Sequence, residues 1–99
     1  MSDFDSVVEI MSARTATLKP FKKVLRFKLD DHIMIIDGTT EPPSVGTNDV
    51  EKANATIKVS LEDFQKLLSK ELKPMTAFRK GQVRMEGEMG AASALQKIF

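Results

Sequence analysis

Read from the N-terminus, apolar residues first recur at helical spacing. Phe4, Val7, Val8 and Met11 form one stripe, and Ser6-Val7-Val8-Glu9 fits a capping box. A short helix is therefore predicted over about residues 3–14. The period then switches to two. Leu25, Phe27 and Leu29 alternate with Arg26 and Lys28, Asp30-Asp31 supplies a turn, and His32 to Asp37 returns toward Gly38, which predicts a hairpin. Residues 38–53 carry Pro42, Pro43 and Gly46 without a sustained pattern. They read as a loop with at most a short edge strand around Ser44-Val45.

Alternation resumes with Ala55, Ile57 and Val59 on one face. Ser60-Leu61-Glu62-Asp63 then caps a helix whose broad apolar face is Leu61, Phe64, Leu67, Leu68 and Leu72. Pro74 is expected to end that helix and to open another over Met75 to Lys80, closed by Gly81. Val83, Met85 and Gly87 alternate with Arg84, Glu86 and Glu88, the signature of a half-solvated strand. The last stretch places Met89, Ala92, Leu95 and Phe99 on one helical stripe, with Ala91 and Ala94 beside it. The order is helix, three short strands, a fourth strand, two helices, a strand and a helix. It predicts one α+β domain over residues 1–99, a sheet covered on one face by helices.

Composition narrows the function classes. Ninety-nine residues allow one core and little more. Zero cysteines exclude disulfides, thiolate zinc sites and a cysteine nucleophile. The longest apolar run, Ile33 to Ile36, is far short of the roughly 20 residues that span a bilayer. The acidic start lacks the charged and apolar regions of a secretory signal, so a cytoplasmic location is expected. Net charge is only +1, but Ile10 to Leu29 holds no acid and six cations: Arg14, Lys19, Lys22, Lys23, Arg26 and Lys28. That run either faces anionic headgroups or guards a solvated strand edge; strand alternation at Arg26 and Lys28 favours the second.

The chemical motifs are thin. Gly81 and Gly87 have the wrong spacing for a phosphate-binding loop, and Gly87 and Gly90 do not complete a dinucleotide fingerprint. Glu86 and Glu88 share a strand face with Arg84, which solvation explains better than a catalytic pair. His32, the only histidine, is expected in a solvated turn without the further nitrogen or sulfur ligands of a metal site. No metal and no cofactor is expected. Nucleic acid is not expected as a partner either, since no tyrosine or tryptophan is present to stack on bases. Asn54-Ala55-Thr56 matches a glycosylation sequon by chance. What remains is an apolar surplus in the second half. It reads as a plain core with methionines filling gaps or as the wall of a cavity, and periodicity alone favours the core.

The string from Ala55 onward resembles the sterol carrier protein 2 family. The positions are Ala55-Thr56-Ile57, Asp63-Phe64, Lys73-Pro74, Ala77-Phe78, Gly81, Val83, Met85, Gly87 and Met89-Gly90. The likeness is close over about residues 53–99 and reaches the N-terminal hairpin only as a pattern. It implies a five-stranded, mostly antiparallel sheet with an apolar tunnel between sheet and helices. It also implies a non-catalytic role in binding, transferring or presenting lipids such as fatty acids, acyl-CoA, sterols or quinones. The implied lipid site comprises Phe64, Leu67, Leu68, Met75 and Phe78. Met85, Met89, Ala92, Leu95 and Phe99 complete it. Transient contact with an anionic membrane surface would accompany such a role. An accessory module that binds a partner protein through its apolar face is the alternative. Two positions depart from the family pattern: Asn54 stands where an acid is common, and Glu88 where Asp or Asn is usual. The chain also ends Ile98-Phe99 and so lacks a peroxisomal tripeptide.

Overall fold

The computed structural model describes residues 3–88 and 90–98. Helix α1 (Asp3–Thr15) is followed by β1 (Val24–Leu29), β2 (His32–Asp37), β3 (Ser44–Gly46) and β4 (Ala55–Val59). Helices α2 (Leu61–Ser69) and α3 (Pro74–Arg79), strand β5 (Val83–Gly87) and helix α4 (Ala91–Ile98) complete the chain. The five strands form one sheet in the order β3-β2-β1-β4-β5. All neighbours are antiparallel except β1 and β4, which run parallel with Leu25 opposite Ala55 and Leu29 opposite Val59. The predicted class and element order therefore hold.

One sheet face is the core. Leu25, Phe27, Leu29, Met34, Ile36, Ala55, Ile57, Val59 and Val83 are buried in a single cluster. Phe4, Val7 and Met11 of α1, Phe64, Leu67 and Leu68 of α2, and the α4 residues join it. Phe27 meets Phe64 edge to face at 5.6 Å, which ties the sheet to α2 at its centre. The other face carries Arg26, Lys28, Thr56, Lys58, Arg84 and Glu86, as the period of two requires.

Parallel pairing needs a long connection. After β3 the chain crosses back to β4 past the polar face, and Arg26 holds it there. Its Nε donates to Asp49 Oδ1 at 2.7 Å, and its guanidinium also donates to Val50 O and to Thr56 Oγ1. β1 is thus an interior strand, not the lysine-guarded edge that the basic run suggested. The run itself is dispersed, because its cations point along different elements.

Three local expectations change. Ser6 lies inside α1, which already begins at Asp3, so it is not the residue that starts the helix. Leu72 lies outside α2: Lys70 adopts a left-handed conformation with φ 68° and ends the helix before Pro74 is reached. His32 opens β2 opposite Leu29, and its ring stacks on Phe4 at 4.4 Å, so the exposed histidine anchors α1 to the hairpin.

Gly87 ends β5 with φ +117°, a conformation few side chains tolerate. A Cβ there would stand 2.5 Å from Asn54 O and 2.8 Å from Ala55 Cα. Glycine is what lets β5 close on β4 and then turn toward α4. Gly87→Ala is expected to destabilise the domain by about 2–4 kcal/mol, combining backbone strain and overlap. Thermal unfolding by circular dichroism checks this, with Gly46→Ala, where a Cβ meets nothing within 4 Å, as the mild control.

Candidate functional site

The apolar layer between sheet and helices is the one place where the second half of the chain converges. α2 turns Phe64, Leu67 and Leu68 into it, at i, i+3 and i+4, because Ser60 fixes where the helix starts. The Ser60 hydroxyl accepts from the Asp63 amide at 3.1 Å, the cap that the sequence predicts. Next, Asp30 of the hairpin turn accepts from the Leu61 amide at 3.0 Å and ties the β1–β2 turn to the start of α2. Pro74 opens α3 at its first position, and Ala77 is fully buried against β5.

The expected lipid-site residues divide by exposure. Phe64, Leu67, Leu68 and Leu95 are buried in the central cluster. Phe78 and Met85 are half-buried and pack against it from α3 and β5. Met75 is 64% exposed and stands outside the cluster, on the solvent side of α3. Met89 and Phe99 lie outside the described residues, as does the side chain of Ala92. Of the described side chains of α4, Ala91, Ala94, Leu95 and Ile98 are buried, so Leu95 of the expected stripe is joined by the alanines set beside it and by Ile98. Ala91, Ala94 and Ile98, together with Val7 and Met11 of α1, share this cluster without having been expected at the site. Val7 and Met11 are legible as a helical stripe, and Ala91 and Ala94 only as small residues beside one.

Two polar devices hold this layer closed. Arg14 of α1 donates to Leu68 O at 3.0 Å and to Ile98 O at 3.4 Å, so one guanidinium joins the C-terminal ends of α2 and α4 to α1. Those carbonyls have no partner within their own helices, and a cation there also complements both helix dipoles. At the opposite end of α4, Asn54 is the hub. Its backbone N donates to Val24 O at 2.8 Å, and its Oδ1 accepts from Val24 N at 2.7 Å. Its backbone O accepts from Glu88 N at 3.0 Å, and its Nδ2 donates to Glu88 Oε1 at 3.3 Å. Lys23 completes the group at 2.6 Å from Glu88 Oε2.

These bonds account for both departures from the family pattern together. An amide at position 54 accepts from Val24 and donates to Glu88 at once; a carboxylate there would only accept. Glu88 reaches across to Lys23 and Asn54 instead of capping α4 with its side chain. The Lys23 ammonium and then the Asn54 amide hold the Glu88 carboxyl below its ordinary value of 4.5. Around this knot lies a shallow groove open to solvent, lined by Lys52, Ala53, Asn54, Gly87 and Glu88.

No group of three or more metal-ligating side chains occurs among the described residues. Glu86 pairs with Lys58 and Glu88 with Lys23, so the two glutamates are held apart by different partners. Among the described residues only Thr15 is polar and buried, and its hydroxyl donates to Ser12 O. The Oε1 of Gln82, at the α3–β5 junction, is buried with no hydrogen-bond partner.

Asn54→Asp is expected to set two carboxylates against each other and lower stability by about 1–2 kcal/mol, or roughly 4–16 °C in Tm. Adding Glu88→Asn should restore most of that loss, a coupling that a double-mutant cycle measures. Because Glu88 titrates below its ordinary value in the folded state, its pairing stabilises above pH 4.5 and is lost as pH falls through the depressed value. The stability difference between the wild type and Glu88→Gln should therefore shrink in denaturant titrations carried from neutral pH to below about pH 4.

Comparison with known proteins agrees with this geometry. The SCP-2 sterol transfer family matches residues 4–99. "Sterol carrier protein 2" of Gallus gallus is 30% identical over 87 residues, covering 82% of this chain and 16% of that protein. The chain thus spans about a sixth of that curated relative's length. The crystal structure of Sterol Carrier Protein 2 Like 2 from Aedes aegypti superposes with a TM-score of 0.80 at 21% identity, covering 98% of this chain and 96% of that one. The solution structure of Aedes aegypti Sterol Carrier Protein-2 in complex with palmitate, a C16 fatty acid, has a TM-score of 0.78 at 16% identity, covering 96% and 93%. With its matched span covering nearly the whole sequence, the chain belongs to the SCP-2 sterol transfer family.

Proposed function

We propose that the chain binds the acyl portion of a lipid in the apolar layer between its sheet and α2, α3 and α4, and hands it on chemically unchanged. The observation that carries this reading is the chemistry of that layer. Its walls are aliphatic and aromatic, and the only buried polar residue among those described is a bonded threonine. Such a lining offers no acid, base or nucleophile to a substrate, and it suits a methylene chain. A relative of the same fold whose structure contains palmitate supports the ligand class.

The proposed wall is Phe64, Leu67, Leu68, Phe78, Met85 and Leu95, with Met75 at the outer rim. A cavity of ~300 Å³ left empty would cost about 7 kcal/mol. About nine buried methylenes at ~0.8 kcal/mol each would offset it, which an acyl chain supplies. Ligand and fold are in that sense one thermodynamic system, and α4 is the element that must yield for exchange. The role includes transient contact with an anionic membrane, where a carrier collects and delivers its cargo, and a cytoplasmic location fits it.

Displacement of a fluorescent fatty acid, with native mass spectrometry of the freshly purified protein, tests the reading. A single acyl chain should bind per protein. At a hundredfold excess over its Kd it should stabilise the fold by about 2.7 kcal/mol, which thermal unfolding reads as a rise of roughly 10–20 °C. Phe78→Ala with Met85→Ala, both half-buried, should weaken binding by about tenfold or more while the domain stays folded. A bare protein that takes up no acyl chain and shows no thermal shift would overturn the proposal and favour a module that binds a partner protein.

A further inference from the structure

Among the described residues no helix covers the second face of the sheet, and the strand register gives it an unusual charge pattern. Lys28 of β1 stands opposite Lys58 of β4, and Lys58 stands opposite Arg84 of β5. Three cations therefore form one row across three adjacent strands, spanning about 10 Å at the usual strand spacing. All three are exposed. Directly opposed like charges destabilise a sheet. Two acids relieve them in part: Glu86 approaches Lys58 at 3.2 Å, and Asp49, bonded to Arg26, also feels the charge of Lys28. Neither Lys28 nor Arg84 makes an ion pair among the described residues. The crossing segment lies against Arg26 and Thr56, and the row Lys28, Lys58 and Arg84 stands one row further along the sheet. Next to the row, Ile33 stands opposite Lys28, half-buried.

We propose that the exposed row of Lys28, Lys58 and Arg84 on this face is the surface that docks the protein on a bilayer of anionic phospholipid. The cations lie flat at strand spacing and do not converge on a cleft. A single bound anion needs convergent donors, whereas a laterally spread negative surface matches a flat row. The half-buried Ile33 adds apolar area where the headgroup region begins. A nucleic acid would present similar charge, but the chain has no tyrosine or tryptophan on which bases could stack. Net charge is only +1, so attraction depends on this arrangement and not on the molecule as a whole. The inference rests on the carrier role only in that a carrier must meet membranes.

Sedimentation with vesicles of equal parts phosphatidylcholine and phosphatidylglycerol, against pure phosphatidylcholine, tests it. The wild type should bind the anionic vesicles alone and release as salt is raised. The triple variant Lys28→Gln, Lys58→Gln, Arg84→Gln should lose about a hundredfold in partitioning, at roughly fivefold per cation. A control with the same charge change, Lys19→Gln, Lys73→Gln, Lys80→Gln, alters exposed lysines outside the face and should lose far less. Fatty-acid displacement measured on the same samples confirms folding and should be unchanged in the sheet-face variant. Equal losses in the two triple variants, retained binding in the sheet-face variant, or preference for RNA over vesicles would each overturn the docking surface. Absent vesicle binding with intact acyl-chain binding overturns this inference alone. Absent acyl-chain binding with intact, face-dependent vesicle binding overturns the carrier role alone.

Discussion

The parallel contact between β1 and β4 governs the rest of the molecule. Two neighbouring strands that point the same way cannot be joined by a tight turn, so everything from Asp30 to Asn54 serves as their connection. β2 and β3 extend the sheet on one side, and the return crosses the polar face under the grip of Arg26. With that face taken by the crossing segment and by charge, every helix must cover the other. A layer of apolar side chains under one roof of short helices is the consequence.

That roof is held at its margins more than by its own length. α3 has six residues and α4 eight, too few to be stable as isolated helices. Arg14 ties the C-terminal ends of α2 and α4 to α1, and the Lys23–Asn54–Glu88 group fixes the approach to α4. Both devices are polar, partly hydrated and local. They leave the apolar layer free of charge while fixing where its roof begins and ends.

The two glutamates of β5 show how register converts a sequence pattern into separate tasks. In one dimension Glu86 and Glu88 look like a pair two residues apart. In the fold Glu86 faces Lys58 within the sheet, whereas Glu88 lies past the strand end and joins Lys23 and Asn54. The same register assembles the row Lys28, Lys58 and Arg84 from segments up to fifty-odd residues apart, and no local run of sequence announces it. The basic stretch that sequence does announce is divided by the fold among a helix seam, a knot, a crossing loop and, at Lys28, one end of this row.

The sequence by itself determined the element order, because each element carries its own signal. Period-two alternation marks the strands, the Ser60 cap and Pro74 mark helix starts, and Gly81 and Gly87 mark turns that require positive φ. It also determined the family, through the spacing of residues that keep those turns. Only the tertiary structure brings Ala91, Ala94 and Ile98 of α4 into the buried cluster beside Leu95. It alone put Met75 in solvent, ended α2 at Ser69 and made β1 an interior strand. The physical reason is common to these cases: periodicity states that a face is apolar, while only packing against a partner states which face is covered.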